Sequence, residues 1–434
     1  MKTIGIRIED KYEMERRVAI IPSHVNDIIS TNINFVVESS EKRVFKDAEY
    51  QKAGAEITNN LKSADIIFGV KEMPIDFFED NKTYLFFSHT IKGQDYNMPL
   101  LKRMIEKKVN LIEYERITDE SGKRLIFFGR YAGIAGMINS FWSYGQRNKV
   151  LGTDTAFSSL KQSHKYSSLN EAKDALRLVA SEIKANGIPQ ELAPLTIGIT
   201  GYGNVARGAQ EIIDLFDNIE ITPNELLKLR EDGNFDNKTI YKIIFKEEHI
   251  SKPKNTAAKF ELQHYYNNPQ EYDNNFEQYV SEISILMNCM YWSPEYPRII
   301  TKDFLAKLFK NPNNKLLIIG DVTCDPDGSI ESTHIGTYIE DPVFVYNPET
   351  REPSMGFEGD GLLTMAVDIL PSELPREASI GFSEALFPFV KELTETDFTL
   401  PFNKLVIPAP FKRALILHNG EFTPDYKYME NFVK

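Results

Sequence analysis

Apolar runs of strand length alternate with helix-length amphipathic segments along most of the chain. In the first part of the sequence these runs are Thr3–Ile8, Phe35–Glu38, Asp65–Lys71, Tyr84–His89 and Asn110–Tyr114. Segments whose apolar residues have helical spacing separate them. Strands that alternate with helices form βαβ units, in which neighbouring strands are parallel. We therefore predict that the first part of the chain forms an open, mostly parallel sheet of its own.

A second series of units begins with the apolar run Leu195–Thr200, which leads through a glycine-rich turn into a helix. Gly201 and Gly203 let the backbone turn tightly and approach a pyrophosphate, and Gly208 lets the helix lie close to the strand. The helix would begin near Asn204 and point its unpaired N–H groups at the phosphates. The spacing GxGxxxxG departs from the common GxGxxG, so a glycine turn in another kind of α/β unit is the alternative. The dinucleotide-binding residues predicted from this turn are Gly201, Gly203, Asn204, Val205 and Gly208.

The length and composition of the chain indicate more than one domain. A chain of 434 residues is too long for one compact core, and 42% hydrophobic residues are typical of a folded globular protein. The fold class that we predict is α/β, with two Rossmann-like domains. The Ser- and Thr-rich stretch 151–168 is a candidate for the crossing between them. The polar, tyrosine-rich stretch 223–283 predicts an insertion in the nucleotide domain, as a lid or an oligomer contact.

Charge and cysteine content exclude several classes of function. The formal net charge of −13 argues against nucleic acid or an anionic membrane as the main partner. Two cysteines are too few for a disulfide scaffold or a four-cysteine zinc site, and they fit a reducing compartment. The first ten residues lack the apolar core of a signal peptide, and no apolar run has membrane-spanning length. We therefore expect a cytoplasmic protein.

Charged residues end several of the apolar runs. Lys71 and His89 follow neighbouring predicted strands, and Asp321 follows a third run. Open α/β sheets bind small molecules at these strand ends, where an imidazole or a partly desolvated ammonium group can transfer protons. A solvated surface lysine and a hydrogen-bonded core histidine are the structural alternatives. The nearby Asp325 and Asp327 do not complete a calcium-binding loop with Asp321, because the ligand spacing is wrong.

Five motifs in the same order resemble those of the alanine dehydrogenase, transhydrogenase and saccharopine dehydrogenase superfamily. They are Arg17–Pro22, Val70–Pro74, the strand that ends at His89, the glycine turn at 201–208, and Gly320–Glu331. Further stretches, among them Phe86–Lys92, Phe128–Asn139 and Val367–Ala378, resemble the lysine-ketoglutarate reductase half of bifunctional α-aminoadipate semialdehyde synthase over nearly the full length. The sequence ends where the saccharopine-cleaving half of the fused enzyme would follow, so we expect a stand-alone reductase.

The resemblance implies a two-domain enzyme with a cleft between the domains. Residues 1–150, completed by about 370–434, would form the catalytic domain, and 151–369 the dinucleotide-binding domain. The implied reaction joins the ε-amine of L-lysine to 2-oxoglutarate and reduces the imine to saccharopine, as a reversible step of lysine degradation. The residues that match the family's functional positions are Lys71 and His89 for proton transfer, Asp321 beside the nicotinamide, and Arg17 for a substrate carboxylate. Arg130 is a further substrate-binding candidate, for which a salt bridge is the alternative.

The cofactor preference depends on the residue that ends the strand after the glycine helix, because an acidic side chain there favours NAD. Glu220 lies near the required spacing, but the strand ends more naturally at Thr222. The uncharged Thr222 would not repel a 2′-phosphate. Together with the resemblance, this favours NADPH as the cofactor, with NADH as the alternative, and Thr222 as a cofactor-binding residue.

Other functions stay open at this point. An NAD-dependent saccharopine or alanine dehydrogenase would share most of the motifs, and a non-catalytic dinucleotide-binding sensor would keep only the glycine turn. A metal-dependent hydrolase is disfavoured, because the sequence lacks paired His, Asp and Glu ligands at metal-binding spacing. The partners we expect are lysine, 2-oxoglutarate and saccharopine, with a second copy of the chain and a separate saccharopine-cleaving enzyme as candidates.

Overall fold

The computed structural model describes residues 2–29 and 33–434. Within these ranges the strands are β1 (Thr3–Ile6), β2 (Asn34–Glu38), β3 (Glu56–Thr58), β4 (Ile66–Phe68), β5 (Thr83–Phe86), β6 (Asn110–Glu113), β7 (Leu195–Thr200), β8 (Asn218–Glu220), β9 (Ile240–Phe245), β10 (Ser251–Pro253), β11 (Tyr272–Asn274), β12 (Ile285–Asn288), β13 (Ile318–Asp321), β14 (Val343–Tyr346), β15 (Pro353–Met355), β16 (Leu362–Met365), β17 (Leu415–His418) and β18 (Glu421–Phe422). The α-helices are α1 (Pro22–Ile29), α2 (Asp47–Lys52), α3 (Met98–Glu106), α4 (Gly129–Val150), α5 (Leu169–Asn186), α6 (Asn204–Ile213), α7 (Pro223–Leu229), α8 (Glu247–Ile250), α9 (Leu262–Asn267), α10 (Glu277–Val280), α11 (Lys302–Leu308), α12 (Pro375–Glu395) and α13 (Ala409–Ala414).

The chain divides into two compact units. The first unit comprises Met1–Phe128 and Pro375–Lys434, and the second comprises Gly129–Leu374. The sequence placed the first boundary near residue 150, but the structure places it before α4. This helix packs along α6 of the nucleotide-binding motif, and therefore belongs to the second unit.

The first unit is built on an eight-stranded sheet with the order β18-β17-β6-β5-β4-β1-β2-β3. Strands β1 to β6 pair in parallel, and the C-terminal strand β17 adds to β6 in antiparallel orientation. Strands β4, β5 and β6 are entirely buried, as expected for parallel strands with apolar runs. Because these strands are parallel, the residues that follow β4, β5 and β6 lie along one edge of the sheet. Lys71 and His89 both follow strands at this edge.

The second unit is built on another eight-stranded sheet, with the order β15-β14-β16-β13-β12-β7-β9-β8. The six strands from β16 to β8 in this order are parallel, and β14 and β15 are antiparallel additions. The two largely parallel sheets confirm the predicted α/β class and the Rossmann-like folds. Among the helices of residues 2–29 and 33–434, none combines the length and the apolar character that a membrane crossing requires.

The predicted insertion at 223–283 is narrower in the structure. Ile240–Phe245 forms β9, which pairs with the central strand β7, so this part of the stretch belongs to the sheet. Ile243 and Phe245 are fully buried in the core of the second unit. The sequence analysis did not predict this strand, because the residues on both sides of it are polar. What lies outside the main sheet is the later part, which includes the small antiparallel pair β10 and β11.

Candidate active site

His89 and Glu72 form a hydrogen-bonded pair at the strand edge of the first unit. Nδ1 of His89 lies 2.7 Å from Oε1 of Glu72, and the backbone of His89 adopts a positive φ of 50°. Nζ of Lys11 lies 2.7 Å from the same carboxylate oxygen. Burial alone would raise the pKa of Glu72, but the hydrogen bonds and charge of His89 and the hydrogen bond from Lys11 lower it to about 2. An ionised Glu72 holds the Nδ1 proton of the imidazole, so Nε2 is the nitrogen that can exchange a proton with a substrate.

Arg17 and Lys71 share a second carboxylate, that of the buried Glu15. Nε and Nη2 of Arg17 donate to Oε1 and Oε2 of Glu15 at 2.8 and 2.6 Å, and the guanidinium group lies 4.1 Å from the ring centre of Phe128. Burial alone would raise the pKa of Glu15, but Arg17 and the charge of Lys71 keep it below its ordinary value. The structure therefore brings Arg17 and Lys71 to one buried anion. Since Lys71 and Glu72 are sequence neighbours, this cluster adjoins the histidine pair.

Two further buried carboxyl groups bind the backbone of the loops that carry Lys71 and His89. Glu9, which follows β1, accepts hydrogen bonds from the amides of Val70 and Lys71 at 2.7 and 2.9 Å. Glu113, at the end of β6, accepts one at 2.8 Å from the amide of Ser88, the residue before the histidine. Strand-end loops are ordinarily the least constrained part of a sheet. Here the loops that carry the lysine and the histidine are each tied to a buried carboxyl group.

Glu9 gives rise to a pH-dependent contribution to stability. Burial, followed by the charge of Glu15, raises its pKa from 4.5 to about 8. The folded protein therefore keeps a proton that the unfolded chain has already released, and stability decreases as pH rises from about 5 to about 8. We expect Glu9→Gln to reduce this decrease, because a neutral amide does not titrate. Urea unfolding at about pH 5 and about pH 8.5 measures it.

The control for this prediction is Glu13→Gln, which changes an exposed carboxylate in the same loop. This variant should keep the pH dependence of the unmodified protein. Equal pH dependence in the Glu9 variant and the unmodified protein would show that Glu9 does not titrate in the stated range.

The glycine turn of the second unit has the geometry that a dinucleotide requires. Gly201 has a φ of +82°, and α6 begins at Asn204 with Gly203 as its N-cap residue. The first N–H groups of a helix, here those of Asn204 and Val205, have no partners within the helix and can bind phosphate. A Cβ atom at Gly208 would lie 2.0 Å from the carbonyl oxygen of Arg130, so only glycine permits this helix packing. The residues present therefore fit a dinucleotide.

A cavity of about 380 Å³ lies beside this turn. It is bordered by the ends of β7, β9 and β12, where Rossmann folds bind the adenosine half of a dinucleotide. The residues that line it include Gly201, Gly203, Glu247, Met290 and the tyrosines at 202, 265, 266, 291 and 296. Aromatic walls of this kind suit a flat adenine ring.

Gly203 allows a test of dinucleotide binding that leaves the fold intact. Its φ is −77°, which alanine adopts readily, and no described atom lies within 4 Å of a Cβ atom built there. We expect Gly203→Ala to change the unfolding free energy by less than about 0.5 kcal/mol. Binding of NADPH should weaken by about tenfold or more, because the methyl group occupies space beside the helix start that phosphates approach. Fluorescence titration measures this binding, and unchanged affinity would contradict the assignment of the turn.

Arg130 forms the kind of salt bridge that the sequence offered as an alternative, and its role in substrate binding stays a prediction. Its Nε atom donates to Oε2 of Glu211 at 2.9 Å, and Nη2 donates to Oε1 of the same residue at 2.9 Å. The two contacts form a bidentate ion pair within the second unit. Lys173 also contacts Glu211, at 2.6 Å. The salt-bridge alternative therefore accounts for Arg130, because packing of α4 on α6 brings it to this carboxylate.

Asp321 is fully buried at the end of β13. Its carboxylate accepts hydrogen bonds from Asn288 at 2.8 Å, Thr323 at 2.7 Å and Thr333 at 2.6 Å. Burial raises its pKa, although these hydrogen bonds act in the opposite direction. The observed contacts hold the ends of β12 and β13 together. A role beside the nicotinamide stays a prediction.

Thr222 caps α7, and it follows the edge strand β8. Its hydroxyl accepts a hydrogen bond from the amide of Glu225 at 3.2 Å and donates to the Glu225 carboxylate at 2.8 Å. The strand beside β7 is β9, although β8 comes first in the chain. The strand order therefore brings the residues after β9, Lys246 and Glu247, next to the glycine turn. Thr222 lines a cavity together with Lys246, and its role as a cofactor-binding residue stays a prediction.

Comparison with known proteins identifies the relationship. The model of the alanine dehydrogenase/PNT N-terminal domain family matches residues 5–135. The chain is 37% identical over 448 aligned residues to the alpha-aminoadipic semialdehyde synthase of Arabidopsis thaliana. This alignment covers 99% of the chain and 41% of that protein. The mitochondrial enzyme of the same name from Bos taurus is 32% identical, over 98% of the chain and 47% of its own length. The chain is therefore similar to the alanine dehydrogenase/PNT family in its N-terminal part, and to the semialdehyde synthases over nearly its full length.

Three further comparisons cover at least nine tenths of the chain. The chain is 29% identical to the NAD(+)-dependent, L-lysine-forming saccharopine dehydrogenase of Candida albicans, over 91% of the chain and 92% of that enzyme. In structure it matches an L-alanine dehydrogenase with a TM-score of 0.65 at 16% identity, over 100% of both chains. The transhydrogenase of Sinorhizobium meliloti matches with a TM-score of 0.55 at 14% identity, over 97% of this chain and 100% of that one. The chain spans less than half the length of the semialdehyde synthases that it matches. The two solved structures show that this chain shares their fold.

Several residues that belong to the candidate site were not predicted from the sequence. Glu72 lies inside the motif Val70–Pro74, but its partner His89 is reached only through the fold. Lys11 and Glu15 lie in the charged turn before Arg17, where exposed charges are the usual interpretation. Within the part of the chain that the structure describes, no group of three or more His, Cys, Asp or Glu side chains is arranged to hold a metal ion.

Proposed function

We propose that this chain catalyses the reductive condensation of L-lysine with 2-oxoglutarate to saccharopine, with NADPH as the hydride donor. The observation that carries the proposal is the pairing of His89 with Glu72 beside Lys71, at the strand edge of the first unit. A second observation supports it, since the other unit carries a glycine turn that fits a dinucleotide. The name of one relative, an L-lysine-forming saccharopine dehydrogenase, supports lysine and saccharopine as reactants.

The first chemical step needs proton transfer at two atoms. The ε-amine of lysine must lose a proton as it attacks the keto carbon and another as the imine forms, and the keto oxygen must gain one proton to give the carbinolamine and a second to leave as water. His89 can accept a proton at Nε2, because Glu72 holds Nδ1 and stabilises the imidazolium that forms. Lys71, as an ammonium group beside Glu15, can donate a proton to the oxygen. These two residues therefore provide the base and the acid for imine formation.

The second step needs an oriented imine. A bound reduced nicotinamide supplies a hydride to the imine carbon. Arg17 orients the substrate through a carboxylate, because its Nη1 donors are not committed to Glu15, which takes Nε and Nη2. The rigid backbone around Lys71 and His89 keeps the proton-transfer groups in place during this step.

The test is the loss of NADPH absorbance with lysine and 2-oxoglutarate, added singly and together. We expect oxidation only when both substrates are present. Pyruvate with ammonia is the control for the alanine dehydrogenase reaction, and NADH replaces NADPH in a parallel series. Oxidation with pyruvate and ammonia in place of lysine and 2-oxoglutarate would overturn the proposal, as would cofactor binding without turnover of either pair.

A further inference from the structure

The strand order of the second unit brings residues after β9 to the dinucleotide turn. β9 is the neighbour of β7, and Lys246 and Glu247 follow its last residue directly. In Rossmann folds, the end of this neighbouring strand contacts the adenosine ribose, where the 2′-hydroxyl of NAD or the 2′-phosphate of NADP lies. Residues at this place distinguish the two cofactors.

A second cavity, of about 830 Å³, borders the adenosine cavity across Tyr202 of the glycine turn. It lies between the ends of β9 and β8 and the first turns of α6 and α7. Its lining includes three basic side chains, Arg207 from α6, Lys246 after β9, and His249 from α8. Two acidic side chains, Glu220 and Glu248, also line it. A phosphate on the 2′-position of a ribose in the first cavity would project toward this one.

The acidic side chains near the two cavities already have partners. Glu247 accepts hydrogen bonds from the hydroxyls of Tyr266 at 2.7 Å and Tyr202 at 3.3 Å, and it lines the adenosine cavity. Glu220 lies 3.7 Å from Lys242. Glu248 lies 3.8 Å from Nε2 of His249.

Arg207 and Lys246 differ from these side chains. Both are exposed, and within residues 2–29 and 33–434 neither forms an ion pair with a carboxylate. Two cations without a protein anion, facing one cavity beside the glycine turn, suit a doubly charged ligand. An uncharged 2′-hydroxyl would not neutralise this positive charge.

We infer that Arg207 and Lys246 bind the 2′-phosphate of the cofactor and so select NADPH over NADH. The inference rests on the proposed function, since it assigns the cofactor specificity of that reaction. Arg207 offers a planar fork for two phosphate oxygens, and Lys246 adds a point charge at the same cavity. Tyr202 separates this phosphate site from the adenosine cavity.

The experiment compares 2′,5′-ADP with 5′-AMP, which differ only in the 2′-phosphate. Isothermal titration calorimetry measures the affinity of both for the unmodified protein, Arg207→Gln, Lys246→Gln and the double variant. We expect 2′,5′-ADP to bind about tenfold or more tightly than 5′-AMP. Each single variant should lose most of this preference while it keeps the affinity for 5′-AMP. Lys310→Gln, which changes an exposed lysine of the same unit, should behave as the unmodified protein.

The possible results separate this inference from the proposed reaction. Equal affinities for the two nucleotides, or a preference that survives in the double variant, would overturn the inference even if lysine and 2-oxoglutarate are condensed with NADH. A preference for 2′,5′-ADP that the variants abolish would support it even if no turnover is found, since binding does not depend on the substrates. Both residues are exposed, so thermal unfolding should confirm that every variant is folded.

Discussion

We expect Lys71→Met to lower kcat of the lysine- and 2-oxoglutarate-dependent oxidation of NADPH by about a hundredfold to ten-thousandfold. Methionine keeps the length and the apolar stem of the side chain but removes the proton that Lys71 donates during imine formation. The affinity for NADPH should stay the same, because the glycine turn belongs to the other unit. Steady-state kinetics measures the loss, and a fluorescence titration with NADPH confirms that the second unit is folded.

Lys102→Met is the matched control for this experiment. Lys102 is an exposed residue of α3 in the same unit, so its replacement removes an equal charge away from the site. This variant should retain the kcat of the unmodified protein. A Lys71→Met variant that keeps more than about a tenth of the activity would exclude Lys71 as an acid of the reaction, since general acid catalysis contributes more than this.

Gly133→Ala should destabilise the second unit by about 3 kcal/mol. A Cβ atom at Gly133 of α4 would lie 1.9 Å from the carbonyl oxygen of Val205 and 2.9 Å from the amide nitrogen of Ala209, both in α6. The neighbouring Gly208 makes the reciprocal contact with the backbone of α4. A backbone oxygen cannot move aside as a flexible side chain does. The helices must therefore separate, and the start of α6, which the dinucleotide needs, moves with them.

Gly129→Ala is the control for the helix contact. Gly129 lies in the same helix, but the nearest atom to its Cβ position is Cγ2 of Val205 at 3.4 Å, an ordinary contact distance. We expect its unfolding free energy to stay within about 0.5 kcal/mol of the unmodified protein. Urea unfolding followed by circular dichroism measures both variants. Equal stability of the two would show that α4 and α6 are not in close contact in solution.

Local sequence patterns predict those parts of the site that depend on one strand and the residues after it. Lys71 and His89 end apolar runs, and the structure places both after parallel, fully buried strands of one sheet. The glycine turn is similarly local, because strand, turn and helix follow one another in the chain. The resemblance to the superfamily was also carried by such short segments.

The parts that local patterns did not predict depend on strand order and helix packing. Pairing across the sheet decides which strand lies beside β7. The sequence alone therefore could not show whether the residues after β8 or those after β9 lie next to the glycine turn. Arg130 meets Glu211 only because α4 packs on α6. The partners of His89 and Arg17 are set by the way the turn after β1 lies against the ends of β4 and β5. None of these contacts has a counterpart in the spacing of residues along the chain.

The fate of the transferred hydrogen decides whether this chain forms saccharopine. L-Lysine and 2-oxoglutarate are incubated with NADPH that carries deuterium at C4 of the nicotinamide, on each face in turn, and the products are analysed by mass spectrometry. We predict saccharopine with one deuterium on the carbon that was the keto carbon, from one face only, and no labelled product when lysine is omitted. Absence of labelled saccharopine while NADPH is oxidised, or label in alanine when pyruvate and ammonia are supplied, would contradict the proposed reaction.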